Sequence, residues 1–103
     1  MERVTMERVF VVLRTRGPAW DDSKSLEGQA DWAAHAAFMD GLFDQRFAAL
    51  VGPLEGTRDA LLVVRASSTA EIVERLALDP WTASGLLLTQ QISPWQLRLG
   101  SLP

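Results

Sequence analysis

Two segments of this chain carry apolar side chains on both faces of the strand that each would form. They are Glu7–Arg16, with the unbroken apolar run Phe10–Leu13, and Ala60–Ala66, with the run Leu61–Val64. Successive side chains of a strand point to opposite faces of the sheet, so such a run needs apolar cover on both sides. The pattern therefore predicts two central strands in a sheet that packs on both faces.

The segments around these strands alternate between a helical period and a period of two. A capping box, Ser68 to Glu71, opens the second helical segment. The segment Gly56–Asp59 predicts a turn between two strands, and Pro94 predicts an edge or a bulge because proline cannot donate to a ladder. In chain order the further elements are a helix over Gln29–Leu50, a strand over Leu50–Leu54, a helix from Ser68 that ends before Pro80, and a strand within Leu86–Leu99.

The element order is β-α-β-β-α-β, the arrangement of a ferredoxin-like α+β fold. We expect a four-stranded antiparallel sheet with two helices on one face, in a single domain that spans residues 1–103. The helices would leave the other apolar face of the sheet open. A homodimer that packs sheet to sheet would cover that face without a further element.

Composition excludes several classes of function. The formal net charge is −3 and the arginines are scattered, so we expect neither a nucleic-acid surface nor a membrane surface. The chain has no cysteine, which excludes zinc–thiolate sites and favours a cytoplasmic location. The opening "MERVTMERV" lacks the apolar core of a signal peptide and offers either Met1 or Met6 as the start.

The polar segment Gly17–Gly28 has no period, which predicts a long loop of the kind that forms a lid or a contact element. Trp20 is its one large apolar residue. The simplest interpretation is that Trp20 packs on the domain's own surface.

The single histidine, His35, points into the apolar half of the first predicted helix. One interpretation is a core histidine that bonds a backbone carbonyl. Another is an acid or base in a pocket, because imidazole exchanges its proton near neutral pH. No second ligand lies at metal-binding spacing, so no metal is predicted. An axial ligand to haem is a further alternative.

Asp79 stands where the second helix must end, although a helix C-terminus favours positive charge. It can cap a one-turn helix with Pro80 at the first helical position and Gly85 closing it. It can also orient His35 through a carboxylate–imidazole hydrogen bond. The two roles are compatible, because one carboxylate oxygen can cap while the other accepts from the imidazole.

Residues near this pair in the predicted fold are candidates for substrate binding. Trp81 offers a ring to a flat substrate, and Ser84 offers a hydroxyl without the sequence of an activated serine. Gly52 and Pro53 predict a turn or bulge that lets the backbone pass close to the pocket. Trp95 is better explained by core or dimer packing.

Short motifs along nearly the whole chain resemble the YciI-like (YCII-related) family. In chain order they are a "VFVVL" strand, "HAAF" at His35–Phe38, Gly52–Pro53, "DPW" at Asp79–Trp81, Gly85–Leu86, and "ISPW" at Ile92–Trp95. The resemblance implies a ferredoxin-like fold that dimerises as an α+β barrel, with His35 and Asp79 as the active-site pair. It also implies an activity of the lyase or dehydrochlorinase type.

The chain departs from this family's pattern at three places. Asp31 stands one turn before the histidine, where an arginine is common, Arg46 replaces a small residue, and the Gly17–Gly28 loop is distinctive. A substrate anion site would then need another arginine, for which Arg14, Arg65 and Arg46 are candidates.

Two functions follow from these residues. The first is a small enzyme without a cofactor, in which His35 moves a proton on a small organic molecule and Asp79 supports the imidazole. Isomerisation or elimination fits, because both need proton movement and no redox group. The second is a non-catalytic dimeric module that binds a metabolite or serves as an accessory to another protein.

Overall fold

Four antiparallel strands form one sheet in the computed structural model, which describes residues 8–103. The strands lie in the order β2-β3-β1-β4, which confirms the ferredoxin-like α+β prediction. The first residue of the predicted strand, Glu7, and the choice between Met1 and Met6 lie outside the described residues. The elements are β1 (Arg8–Arg16), α1 (Trp32–Asp44), β2 (Ala48–Pro53), β3 (Asp59–Ala66), α2 (Thr69–Leu76), α3 (Pro80–Ser84) and β4 (Leu87–Pro94).

The main core lies between the sheet and the first two helices. Phe10 and Val12 of β1 pair with Val64 and Leu62 of β3, and all four side chains are buried on the same face. Leu42 from α1 and Ile72 and Leu76 from α2 pack against them. Both helices therefore cover one face of the sheet, as the element order predicts.

The opposite face of the central strands is apolar and less buried. Val11 pairs with Val63 and Leu13 pairs with Leu61 there, and Leu50 on the neighbouring strand is 56% exposed. The homodimer through this face stays a prediction.

The first helix is shorter than the predicted span of 29–50, which is a correction. It ends at Asp44 because Arg46 adopts the left-handed conformation, with φ 64°, which a helix cannot continue through. Phe47 then aligns with β3, where its carbonyl accepts from the Arg65 backbone N–H. Apolar spacing alone did not reveal this break, since Phe47 stays buried after the chain leaves the helix.

The second helical segment contains two helices. Ser68 caps α2 by accepting from the Glu71 N–H, whereas the Glu71 carboxylate bonds Ser67 instead of completing the predicted box. The predicted apolar stripe is narrower than expected, because Val73 is 54% exposed. The one-turn helix α3 confirms the cap at Asp79 and the left-handed closing residue Gly85.

The last strand, β4, is an edge strand, as Pro94 predicts, and it has a register shift opposite Leu13 and Arg14. It ends at Pro94. Within residues 8–103, no helix is long and apolar enough to cross a membrane.

Candidate active site

A cavity of about 440 Å³ opens on the helix-covered side of the sheet. Its floor comes from β1, β2 and β3, one wall comes from α1, and another comes from the loop after β1. His35 and Met39 project from α1, while Trp20 from the loop closes the other side. The volume suits a single small ring compound.

His35 is buried and presents one ring nitrogen to Asp79. Its Nδ1 lies 2.9 Å from Asp79 Oδ1 and 3.0 Å from Oδ2. Because an ionised carboxylate only accepts hydrogen bonds, Nδ1 carries a proton, and in the neutral imidazole Nε2 is then the nitrogen with the lone pair. Within residues 8–103, Nε2 has no protein hydrogen-bond partner, and the imidazole lines the cavity. The site therefore offers a base, and not a second anion, to a ligand.

Trp81 fixes the plane of the imidazole. The two rings are stacked, with centroids 3.8 Å apart and an angle of 5° between their planes. Trp81 is fully buried, and its indole N–H donates to the Ala30 carbonyl oxygen at 2.7 Å. Trp81 lines the cavity, as predicted, and His35 occupies one face of its ring. Its contact with a flat substrate stays a prediction.

Asp79 is fully buried at the N-terminus of α3, where it combines the two roles considered from the sequence. Oδ1 accepts the backbone N–H of Trp81 at 3.0 Å, and Oδ2 accepts Arg14 Nη1 at 2.7 Å. Burial by itself raises the pKa of Asp79, but hydrogen bonds from His35, Arg14 and the Trp81 amide outweigh it and lower the pKa. Asp79 is therefore an anion at neutral pH.

Arg14 is committed to the protein. Its exposed fraction is 1%, and Nη2 donates to Thr82 Oγ1 at 2.5 Å and to the Leu87 carbonyl at 3.3 Å. The Thr82 hydroxyl in turn donates to the Leu76 carbonyl at 2.7 Å. Arg14 thus pairs with Asp79 and also borders the cavity, so its predicted substrate contact stays a prediction.

Three tryptophans line the cavity with His35, and sequence analysis identified only one of them, Trp81, as part of the pocket. Trp20 meets Trp81 edge to face at 5.6 Å, and Trp32 lies 5.8 Å from the same ring. Trp20 is 9% exposed, and buried Gln29 holds its loop through bonds to the Asp21 backbone. The available signal was that Trp20 is the single large apolar residue of a long loop.

The remaining predicted residues divide into two groups. Gly52 and Pro53 border the cavity at the end of β2. The predicted turn or bulge there is wrong, because both residues pair with β3 in regular register. Ser84 is exposed and is not among the lining residues, because the left-handed turn at Gly85 follows it on the far side of α3. Arg46 and Arg65 do not line the cavity either.

Within residues 8–103, no three side chains of the metal-binding types come together in one group. Asp31, expected to put an anion beside the histidine, is exposed and contacts it only through the backbone bond from His35 N–H to the Asp31 carbonyl.

Comparison with known proteins defines the fold class. No family model and no curated protein matches the chain. A solved structure, the 5-chloro-2-hydroxyhydroquinone dehydrochlorinase of Burkholderia phenoliruptrix in complex with 2,5-dihydroxybenzoquinone, is similar, with a TM-score of 0.64. The identity is 24% over 85% of this chain and 93% of that one. The chain therefore shares the α+β fold of that enzyme.

Proposed function

We propose that the protein is a cofactor-independent enzyme that transfers a proton on a small organic molecule, in a lyase (dehydrochlorinase) or isomerase reaction. The observation that carries the proposal is His35, which binds buried Asp79 through Nδ1 and lines the cavity. A proton-transfer enzyme needs a base that is held in one tautomer and reaches its substrate.

The charges around His35 support this role. Arg14 and Asp79 neutralise each other, so the neutral imidazole rests beside a balanced pair. When Nε2 accepts a proton, the imidazolium gains the Asp79 carboxylate as a partner 2.9 Å away. Arg14 keeps that carboxylate ionised and fixed. A positioned base of this type contributes ~10²–10⁴-fold to a rate.

The proposed substrate is a small, flat ring with an acidic hydroxyl or C–H group. The aromatic lining and the volume of about 440 Å³ support a ring. The similar 5-chloro-2-hydroxyhydroquinone dehydrochlorinase, solved in complex with 2,5-dihydroxybenzoquinone, supports the same class. His35 would take the proton, after which a leaving group departs or the ring is reprotonated elsewhere.

We also propose that the chain is a single YciI-like domain that forms a homodimer through the open face of the sheet, in the cytoplasm. The ordered motifs from His35 to Trp95 support the family. The exposed apolar residues of that face support the dimer. Light scattering would test it, and a monomer at high concentration would contradict it.

The proposed function is tested by measuring turnover of a panel of chlorinated and unchlorinated hydroxyhydroquinones. Chloride release and the change in absorbance report the turnover. His35→Gln should lower kcat by ~10²–10⁴-fold, because glutamine cannot accept a proton. The matched control is Ser84→Ala, which should keep wild-type turnover. Binding of these compounds without turnover would favour the non-catalytic module instead.

Nuclear magnetic resonance of the single histidine gives a test without a substrate. The Nδ1 proton should give a protected, downfield signal in the wild type, because a buried carboxylate accepts it. Asp79→Asn should remove that signal. A rapidly exchanging Nδ1 proton in the wild type would contradict the proposed pair.

A further inference from the structure

Three arginines lie on the floor of the cavity. Arg14 and Arg16 are two residues apart on β1, so they point to the same, helix-covered face. Arg58 lies opposite Arg16 at the start of β3, where its carbonyl accepts the Arg16 backbone N–H at 3.0 Å. The strand rise separates Arg16 from Arg14 by about 7 Å, roughly the width of a substituted ring.

Two of these cations have carboxylate partners. Arg14 pairs with Asp79 at 2.7 Å, and Arg58 pairs with Asp22 at 3.0 Å. Within residues 8–103, Arg16 has no ion-pair partner. Its positive charge is therefore available to a ligand in the cavity.

Two acidic residues border the same cavity. Asp40 is exposed on α1. Asp59 pairs with Thr15, and strand alternation puts its side chain on the face opposite Ala60 and Arg14. Neither therefore shares the floor with Arg16.

Arg16 is held in position by Trp20. Its guanidinium lies 4.5 Å from the centre of the Trp20 ring, and the side chain is half-buried. A cation on an aromatic face keeps its hydrogen-bond donors free at the edge of the guanidinium plane. The side chain therefore loses little further freedom when a ligand binds.

We propose that Arg16 binds an anionic oxygen of the substrate, so that the substrate class is a flat ring with an ionised or ionising hydroxyl, such as a phenolate or an enolate. This inference rests on the proposed function. When a ring O–H or C–H bond breaks, the proton forms an N–H bond at His35 Nε2 and the electron pair stays on the ring. Delocalisation carries that charge to an oxygen, and a fixed guanidinium stabilises it.

The experiment is calorimetric binding of two matched rings, 2,4-dinitrophenolate and the neutral 2,4-dinitroanisole. Wild-type protein should bind the anion at least about tenfold more tightly, which is about 1.4 kcal/mol. Arg16→Met should remove this preference, and Arg16→Lys should restore part of it because the charge returns.

The matched control is Arg75→Met. Arg75 also lies over an aromatic ring, at 4.3 Å from the centre of Phe47, but it is outside this cavity. The variant changes the net charge equally and should keep the preference for the anion.

Three results would overturn the inference: equal affinity of the wild type for both rings, no binding of either, or a preference that survives in Arg16→Met. A purely structural Arg16 would change stability and leave the preference intact. The binding measurement is independent of turnover, so it also separates this inference from the proposed function. If His35→Gln keeps the preference and no compound is turned over, the proposed reaction fails while the anion site stands.

Discussion

The two ends of one face of β1 differ in what they contribute. At one end Phe10 and Val12 have no exposed surface and pack into the main apolar core. At the other end, on the same face, Arg14 and Arg16 border a cavity. The first end removes apolar surface from water, whereas the second end removes a guanidinium and a carboxylate from water.

This difference shows that the site does not account for the stability of the fold. Burial of an apolar side chain such as Phe10 is favourable by about 1.5–3 kcal/mol. A buried ion pair roughly offsets its own desolvation, and its loss is costly only when one charge remains alone. The apolar end stabilises the chain, and the polar end holds His35.

The largest losses of stability should come from a single substitution at either end of this face of β1. Phe10→Ala should reduce the free energy of unfolding by about 3–5 kcal/mol through the cavity it leaves. Asp79→Ala should reduce it by a similar ~3–5 kcal/mol, because Arg14 becomes an unpaired buried charge. Urea denaturation measures both.

The double variant Arg14→Met with Asp79→Leu sharpens the comparison. With no charge left alone, it should regain at least half of the stability that Asp79→Ala loses, while turnover stays absent. No recovery of stability would show that the ion pair itself stabilises the fold and would contradict the contrast between the two ends.

Gly17 joins β1 to the loop that carries Trp20, and its replacement should have a smaller effect. A Cβ at this position would lie 2.2 Å from the Gly85 carbonyl oxygen, which belongs to backbone and cannot move aside easily. We expect Gly17→Ala to lose about 1–3 kcal/mol of stability and to weaken ligand binding. Retained affinity, measured by calorimetry, would show that the loop does not close the cavity.

Acid should destabilise the polar end through Asp79. The pKa of Asp79 is lowered in the folded protein. Its contribution to the free energy of unfolding is therefore complete at a pH above the ordinary aspartate pKa, and it disappears as the pH falls through the lowered pKa of the folded state. Stability measured from about pH 7 to about pH 3 should therefore fall less in Asp79→Asn than in the wild type. Half-buried Glu71, whose pKa is also lowered, provides Glu71→Gln as a control with a smaller change.

The smallest changes in stability should come from substitutions of two serines that lie outside β1. Ser68→Ala should cost about 1 kcal/mol, because α2 loses its cap. Ser84→Ala should change stability by less than about 0.5 kcal/mol, since its hydroxyl is exposed. A loss of turnover in Ser84→Ala would place this residue back in the site.

Strand and cap signals predicted most of the fold because they are local. The apolar runs in β1 and β3 and the sequence Asp79–Pro80 are each recognised from residues within a few positions of one another. The end of α1 was not predictable in this way. The left-handed Arg46 gives no periodic signal, and Phe47 is buried in either interpretation.

The residues of the candidate site also differ in whether a local sequence signal identified them. His35 and Asp79 were identifiable because a lone histidine on an apolar face and an acid at a helix end are each unusual. The pairing of Arg14 with Asp79 was not predicted, because nothing in the neighbours of Arg14 along the chain indicates a carboxylate 65 residues away. Trp20 was undervalued for the same reason, since its partner Trp81 lies on another element.

The sequence by itself determined the strands, the element order, the cap at Asp79 and the inward direction of His35, because each depends on residues within a few positions. Only the tertiary structure decided that Asp79 joins Arg14 to His35, that Trp81 supports the imidazole, and that Arg16 lies over Trp20 with no ion-pair partner among residues 8–103. These contacts form between distant segments, and whether a buried charge has a partner depends on the three-dimensional arrangement of those segments.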